Sequence, residues 1–264
     1  MAFVRANGIV LHTKLLGQPE GPALVFSNSL GSDFRIWEDV ATLLGQRYRI
    51  LLYDKRGHGL SDAPTGPYTI DDHTDDLLAL LDHFGFEATA IVGVSLGGMI
   101  AQRLAARAPD RAKALVLCCT ATRIGTAEGW ANRITSVESG GIESVADGVL
   151  KLWFTEAFRR DRAAEFEGWR NMLVRTPAHG YLASCVSVRD ADLRADAAGI
   201  AAPVLCVAGD QDGSTPPDLV RGMADLIPNA RFVLIEGAGH IACVEKPGEL
   251  AGLIENHLDG AGHG

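Results

Sequence analysis

Residues 93–97, with the sequence Gly-Val-Ser-Leu-Gly, constrain the fold of this chain more than any other segment. They form the pattern G-x-S-x-G and lie between a stretch of strand character, Thr89–Val94, and one of helix character, Gly97–Arg107. The glycines permit a sharp turn without a Cβ clash, and the serine is then held in a strained conformation above the edge of a sheet. The helix behind it directs its N-terminal N–H groups toward developing negative charge. The pattern therefore predicts that Ser95 is a nucleophile, and a serine that only caps the helix is the alternative.

Stretches of strand and helix character alternate along most of the chain. The first two predicted strands, Phe3–Ala6 and Val10–Leu16, flank Asn7-Gly8, a dipeptide typical of a two-residue hairpin. The later predicted strands are apolar runs, namely Ala23–Phe26, Arg49–Tyr53, Thr89–Val94, Ala114–Cys118, Pro203–Ala208 and Arg231–Ile235. The predicted helices are Ile36–Leu44, Ile70–Phe84, Gly97–Arg107, Pro217–Leu226 and Pro247–Leu258. Because continuously apolar strands alternate with helices, we expect a mostly parallel sheet covered by helices on both faces.

One long interval, from residue 121 to residue 198, breaks this alternation. It is rich in tryptophan, arginine and helix-forming residues, and it is expected to be an all-helical insertion between two strands. We call this insertion the cap. The chain is therefore predicted to consist of a first core segment at 1–120, the cap at 121–198 and a second core segment at 199–264.

The composition excludes several functional classes. The chain has 33 acidic and 24 basic residues, for a net charge of −9, and no Lys/Arg run, so no nucleic-acid partner is expected. Its apolar runs are too short to cross a bilayer and its first residues lack an apolar signal segment, so no membrane partner is expected. Five scattered cysteines favour free thiols in a reducing compartment. These features predict a soluble cytoplasmic protein and leave its oligomeric state open.

A serine hydroxyl needs a base that takes its proton, and two late segments supply candidates. His240 follows the predicted strand that ends at Ile235, and Asp210 and Asp212 follow the one that ends at Ala208. Enzymes built on such sheets place their sites at the carboxyl ends of the strands. The expected order along the chain for this architecture is serine, acid, histidine, and these residues have that order.

No metal ion or cofactor is expected. The segment around Asp210 and Asp212 lacks the glycine position and the final glutamate of a calcium loop. Four aspartates between residues 71 and 76 lie near a predicted helix start, where acids suit the helix dipole, and a solvated acidic face is the favoured interpretation. Zinc, phosphate-loop and dinucleotide motifs are absent from the sequence.

Four motifs together resemble the α/β-hydrolase superfamily over essentially the whole chain. They are Gly93-x-Ser95-x-Gly97, Asp54-x-Arg56-Gly57-His58-Gly59-x-Ser61, Gly209-x-x-Asp212-x-x-Thr215-Pro216, and Gly239-His240 followed by Glu245-x-Pro247. The resemblance implies an eight-stranded, mostly parallel sheet with a helical cap inserted after the sixth strand. It also implies that Ser95 is the nucleophile, that His240 is the general base and acid, and that Asp212, rather than Asp210, orients His240. Arg56 and His58 are then scaffold residues.

By the same resemblance, two backbone N–H groups form the oxyanion hole. One belongs to Leu96, the residue after the nucleophile. The other is expected at Ser29, in the loop of residues 27–31. The superfamily usually has a His-Gly pair where this chain has Ser27-Asn28.

Within that loop, Asn28-Ser29-Leu30-Gly31 resembles the 3-oxoadipate enol-lactonases of bacterial aromatic catabolism. Further matches to that family are Tyr53-Asp54-x-Arg56-Gly57-His58-Gly59, Gly66-Pro67-Tyr68-Thr69-Ile70, Trp130-x-x-Arg133-Ile134, Trp153-Phe154-Thr155, Gly180-Tyr181 and Arg189-Asp190-x-Asp192-Leu193. This resemblance implies hydrolysis of a small anionic lactone, 3-oxoadipate enol-lactone, to 3-oxoadipate through an acyl-enzyme in the β-ketoadipate pathway.

An anionic substrate requires a local cation, because a chain of net charge −9 repels it at long range. Arg133 is the first choice for this role and Arg189 the second; the alternative is that both arginines pair with acids of the cap. Trp130 and Trp153 either line the pocket or pack the cap helices. Rival functions on the same fold are a broad carboxylesterase and a cofactor-free haloperoxidase or perhydrolase. A sensor that binds a small lactone is a rival of another class.

Overall fold

The computed structural model describes residues 1–264, and its centre is one sheet of eight strands. The strands are β1 Ala2–Ala6, β2 Ile9–Gly17, β3 Ala23–Ser27, β4 Arg49–Tyr53, β5 Thr89–Val94, β6 Ala112–Cys118, β7 Val204–Gly209 and β8 Arg231–Ile235. Their spatial order is β1-β2-β4-β3-β5-β6-β7-β8. Only the pairings of β2 with β1 and β4 are antiparallel, and all other neighbours are parallel. The predicted fold class is therefore confirmed.

The hairpin at the start of the chain forms as its turn residues predict. Asn7 and Gly8 both have positive φ, 47° and 78°, which matches the two left-handed positions of a type I′ turn. The register pairs Ala6 with Ile9, so the turn contains two residues. This hairpin supplies the antiparallel edge of an otherwise parallel sheet.

The central strands are buried along most of their length, which explains why their sequences are apolar without alternation. Every residue of β5 and of β7 is buried, as expected for a parallel sheet covered on two sides. A single cluster of 78 buried apolar side chains connects the sheet with its helices and includes Trp130 and Leu150 of the cap. The cap therefore packs onto the same core as the sheet.

Six helices flank the sheet outside the cap region. They are α1 Glu38–Leu44, α2 Ile70–Phe84, α3 Leu96–Arg107, α10 Pro217–Leu226, α11 Ala242–Glu245 and α12 Pro247–Gly260. A 3₁₀ turn at Phe34–Trp37 precedes α1, so the helix begins two residues later than predicted. The ends of α2 have local causes, because Thr69 and Asp72 form a capping box and Gly85 ends the helix at φ 67°.

Six further helices lie between β6 and β7, in the interval where the sequence predicts the cap. They are α4 Ala127–Gly140, α5 Glu143–Trp153, α6 Glu156–Asp161, α7 Ala163–Val174, α8 Ala178–Asp190 and α9 Arg194–Ala198. None of the helices in the chain combines the length and the apolar character needed to cross a bilayer. All five cysteines are buried and free.

The acidic segment at the start of α2 is not simply a solvated face. Asp76 is buried and accepts two hydrogen bonds of 2.6 Å from Arg56, while Asp71 pairs with Arg103 and Arg107. The interpretation as a fully solvated face is therefore wrong for Asp76. The structure uses that carboxylate to hold Arg56, which agrees with a scaffold role for this arginine.

Candidate active site

Four strands end at the same edge of the sheet, and each is followed by a candidate residue. Ser29 follows β3, Ser95 follows β5, Asp212 follows β7 and His240 follows β8. The parallel register aligns these ends, since Ser27 pairs with Gly93 and Gly209 pairs with Ile235. Residues far apart in the sequence are thereby brought to one edge, as parallel strands require.

Ser95 is held in a strained turn between β5 and α3. Its backbone has φ 57° and ψ −119°, a conformation that costs of the order of 1–3 kcal/mol for a residue with a side chain. The glycines beside it are required, because a Cβ at Gly93 would lie 2.3 Å from the Gly97 carbonyl oxygen. Hydrogen bonds to residues at or just after the end of β6 stabilise this strained backbone. The Ser95 N–H donates to the Cys118 carbonyl, and the Thr120 hydroxyl donates to the Ser95 carbonyl.

Asp212 and His240 form a buried hydrogen-bonded pair. His240 Nδ1 lies 2.9 Å and 3.1 Å from the two carboxylate oxygens, and both side chains are almost completely buried. Because a carboxylate only accepts hydrogen bonds, Nδ1 is the donor, and in the neutral imidazole Nε2 then keeps its lone pair. The pair therefore presents a free imidazole nitrogen, which is the arrangement that a general base needs.

The Asp212 carboxylate is also anchored to its own loop. It accepts hydrogen bonds from the N–H groups of Ser214 and Thr215 and from the Thr215 hydroxyl, at 2.7, 2.9 and 2.6 Å. Burial alone would raise the pKa of Asp212, but His240 and Thr215 together outweigh burial and hold the pKa below its usual range. The group thus stays charged opposite the imidazole.

A cavity of about 190 Å³ adjoins these residues. Ser95 and His240 both line it, although the structure has no hydrogen bond between the serine hydroxyl and the imidazole. Such bonds are often long until a substrate is bound, so the geometry is compatible with proton transfer. The cavity is smaller than the roughly 300–1,000 Å³ common for drug-sized ligands, which favours a small substrate.

Two backbone N–H groups, one in the cavity lining and one in the residue after Ser95, lack protein acceptors. Leu96 is the first residue of α3, and the first N–H groups of a helix have no intrahelical partner. Ser29 lines the cavity, and its N–H donates no hydrogen bond within the chain. Both groups are available to a developing oxyanion, as the resemblance implies for this pair.

The loop that contains Ser29 rests on buried side chains from the segment after β4. Lys55 is 1% exposed, and its ammonium group donates to the carbonyl oxygens of Ser29 and Ser32 at 2.7 and 3.5 Å. His58 Nε2 accepts a 2.9 Å hydrogen bond from the Gly31 N–H. Burial lowers the pKa of Lys55 to about 7. Burial also lowers the pKa of His58 well below the usual value of a histidine. Lys55 was not predictable as part of the site, because no sequence pattern marks a lysine as buried.

Cys119 is a second residue that the sequence analysis did not assign to the site. It has a left-handed backbone, with φ 45°, and its sulfur lies within 4.8 Å of ligand atoms of Asp212 and His240. Burial, followed by the charge of Asp212, raises the pKa of its thiol, so the group beside the pair is neutral. Two of these three side chains, Asp212 and His240, already hydrogen-bond to each other.

Glu245 connects the cap to the segment that carries His240. Its carboxylate accepts hydrogen bonds from the Gly239 N–H at 2.6 Å and from the N–H and hydroxyl of Thr155 at 3.0 and 2.7 Å. The Ile241 N–H donates to the Trp153 carbonyl in the same region. The cap and the backbone beside His240 are therefore connected through one partly buried carboxylate.

The cap contributes three of its four predicted binding residues to the cavity. Trp130, Arg133 and Trp153 line it, and the Trp130 indole N–H donates to the Ile124 carbonyl. Both tryptophans are buried, so they line the pocket and pack the cap at once. Arg189 lies outside the cavity and pairs with Asp190 at 2.7 Å. The expectation that Arg189 binds substrate is therefore not supported, because its charge is already paired at another surface.

Comparison with known proteins gives consistent matches. A family model described as alpha/beta hydrolase fold matches residues 22–184 and 156–247. The chain is 35% identical to 3-oxoadipate enol-lactonase 2 of Acinetobacter baylyi over 92% of its own length and 90% of that protein. The crystal structure of an enol-lactonase from Burkholderia xenovorans superposes with a TM-score of 0.95 at 36% identity, covering 98% of this chain and all of that one. A thermophilic esterase from Thermogutta terrifontis, with malate bound, has a TM-score of 0.92 at 26% identity, with 98% of each chain covered.

Proposed function

The chain belongs to the α/β-hydrolase family, and on that premise we propose that it hydrolyses 3-oxoadipate enol-lactone to 3-oxoadipate. The observation that carries the choice of substrate is an arginine without an acidic partner, Arg133, in the cavity beside Ser95 and His240. The likeness to enol-lactonases in sequence and in structure supports the same choice. The family accounts for the hydrolase fold, and the arginine in the cavity supports a substrate that carries a carboxylate.

In the proposed first step Ser95 attacks the lactone carbonyl while His240 Nε2 takes the hydroxyl proton. The carboxylate of Asp212 keeps the second proton on Nδ1 and stabilises the imidazolium that forms. The N–H groups of Ser29 and Leu96 stabilise the negative charge on the carbonyl oxygen. A donor of this kind contributes about 3–4 kcal/mol to transition-state stabilisation.

Collapse of the tetrahedral intermediate breaks the ring C–O bond and leaves an acyl-enzyme on Ser95. The leaving oxygen departs as an enolate, which is a much weaker base than an alkoxide. It takes the proton of the His240 imidazolium, which restores the neutral base, and becomes a ketone by tautomerisation. Water, deprotonated by His240, then attacks the acyl carbonyl and releases a free carboxylate, and the proton returns to Ser95.

Arg133 is placed to bind the carboxylate arm of this substrate. Its guanidinium carbon lies 4.7 Å from the centre of the Trp130 ring, and the residue is half-buried with no Asp or Glu at ion-pair distance. The chain as a whole carries a charge of −9 and repels anions, so binding of an anion depends on this local charge. An arginine without an acidic partner in a cavity meets that requirement, whereas the paired Arg189 does not.

The proposal is tested by comparing Arg133→Met with the control Arg189→Met on two substrates. Loss of enol-lactone absorbance measures the anionic substrate, and release of phenol from phenyl acetate measures a neutral one. We expect Arg133→Met to raise KM for the lactone at least tenfold, since a hydrogen bond to a charged group contributes about 1.5–3 kcal/mol. The KM of Arg133→Met for phenyl acetate should stay within twofold of wild type. For Arg189→Met, kcat and KM on both substrates should stay within twofold of wild type. Equal losses on both substrates, or faster turnover of phenyl acetate than of the lactone, would favour a broad esterase instead.

A further inference from the structure

Tyr181, in α8, has a hydroxyl group that the protein leaves without a hydrogen bond. The residue is 1% exposed, and it lines the same cavity as Ser95 and His240. A buried hydroxyl without a partner is costly, so such a group in a cavity marks a place where a ligand atom completes the bonding. Burial also raises the pKa of Tyr181, which keeps the hydroxyl protonated and therefore a donor.

The two side chains that most affect the Tyr181 pKa after burial, Arg133 and Cys185, offer its hydroxyl proton no good acceptor. Arg133 is the charged group that acts on Tyr181: its positive charge, and the hydrogen bond that it can donate to the phenol oxygen, partly offset the effect of burial on the tyrosine pKa. A guanidinium group has five donors and no acceptor, so it can satisfy a lone pair of the phenol oxygen but never the O–H. Burial raises the pKa of the neighbouring Cys185 to about 12, so that thiol is neutral and only a weak acceptor.

The position of the phenol is fixed by packing on both sides. A Cβ at Gly31 would lie 3.0 Å from Tyr181 Cε2, so the ring lies directly against the loop that carries Ser29. Gly31 has φ 77°, which further favours glycine there. On the other side α8 packs against α4, the helix that carries Arg133. The hydroxyl is thus held between the predicted oxyanion loop and the cap arginine.

We propose that Tyr181 and Arg133 together form a carboxylate-binding subsite and that Tyr181 determines specificity for substrates with a carboxylate arm. The guanidinium donates to one carboxylate oxygen and the phenol O–H donates to the other, so each donor obtains an acceptor that the protein does not provide. This inference rests on the proposed function for the identity of the lactone, but the subsite itself is defined by its chemistry. A neutral ester without such an arm leaves the hydroxyl unpaired and gains nothing from either residue.

The test uses Tyr181→Phe with Tyr48→Phe as a matched control. Tyr48 also has a fully buried hydroxyl without a partner, but it lies outside the cavity. We expect Tyr181→Phe to raise KM for the enol-lactone about five- to twentyfold, with kcat and the constants for phenyl acetate within twofold. Tyr48→Phe should change none of these. When Arg133→Met is already present, Tyr181→Phe should raise KM for the enol-lactone by a smaller factor than it does in wild type, because both donors act on one carboxylate.

Inhibition by adipate separates this inference from the proposed function. Adipate carries carboxylates but no scissile bond, and its effect on phenyl acetate hydrolysis can be measured without any lactone. If wild type turns over no lactone but Tyr181→Phe raises the adipate inhibition constant at least fivefold, the subsite stands and the proposed substrate fails. If Tyr181→Phe leaves that constant unchanged, or weakens lactone and phenyl acetate equally, Tyr181 only packs the cap and the inference is overturned.

Discussion

Replacing Asp212 with asparagine tests the proposed chemistry at a single atom. The side-chain oxygen of asparagine can keep the hydrogen bonds from the N–H groups of Ser214 and Thr215, so the loop retains its shape. The amide NH₂ then occupies the position of the oxygen 2.9 Å from His240 Nδ1. A donor at that position requires a lone pair on Nδ1, so the proton of the neutral imidazole moves to Nε2, and the base toward Ser95 is lost.

The size of the effect follows from the change of tautomer. An aspartate-to-asparagine change in a serine–histidine–aspartate site of this type lowers kcat by about 10⁴. Each factor of ten corresponds to about 1.36 kcal/mol in the activation free energy, so the barrier rises by about 5–6 kcal/mol. The KM for phenyl acetate should change by less than threefold, because Asp212 does not line the cavity.

The neighbouring carboxylate, Asp210, supplies the control. It follows the same strand, and it accepts a 3.2 Å hydrogen bond from the Ala238 N–H without contacting His240. Steady-state kinetics on phenyl acetate from pH 5 to 9 should show Asp210→Asn within about threefold of wild type and Asp212→Asn about 10⁴ lower at neutral pH. Asp212→Asn activity within tenfold of wild type, or a larger loss in Asp210→Asn, would refute the assignment.

Further outcomes follow from residues around the site. Lys55→Met removes the donor to the Ser29 carbonyl and should lower kcat for phenyl acetate about tenfold at unchanged KM. Burial lowers the pKa of Lys55 from 10.5 to about 7, so the unfolded chain binds the extra proton between these pH values. In urea unfolding, the free energy of unfolding of wild type should therefore rise by up to about 5 kcal/mol as the pH increases from 7 to 10.5. The rise should be smaller in Lys55→Met. Gly97→Ala should destabilise by more than about 3 kcal/mol because its Cβ would lie 2.1 Å from the Ser27 carbonyl, whereas Gly148→Ala, with open space, should be neutral or stabilising. Glu245→Gln should lower kcat about three- to tenfold, because the Gly239 N–H loses a charged acceptor.

Local patterns in the sequence account for the order of elements and for the candidate triad. The Asn7-Gly8 turn, the apolar strands and the G-x-S-x-G segment each depend on residues close in sequence, so pattern alone predicts them. Once the strands are parallel, the residues after their carboxyl ends must meet, which places Ser95, Asp212 and His240 at one edge. The site was therefore predictable to the extent that backbone geometry decides it.

The details around that site were not predictable in this way. Lys55 and Glu245 have polar side chains in sequence contexts that do not mark burial, and both are fixed by contacts with distant loops. Asp76 was expected to be solvated, but the approach of Arg56 encloses it. In each case a partner from another part of the chain decides whether a charge is buried, and a single sequence does not show which partner arrives.

The sequence by itself determined the sheet, the strained serine and the order of serine, acid and histidine, because turns and periodicity act over a few residues. Only the tertiary structure decided which cap residues meet the cavity. Local sequence does not tell which of Arg133 and Arg189 faces the cavity. In the structure Arg133 lies beside Trp130 without an acidic partner, whereas Arg189 pairs with Asp190. The packing of the cap helices places Tyr181 against Gly31 and leaves its hydroxyl without a hydrogen-bond partner. Side-chain direction and the pairing of charges depend on such long-range packing, which no local pattern contains.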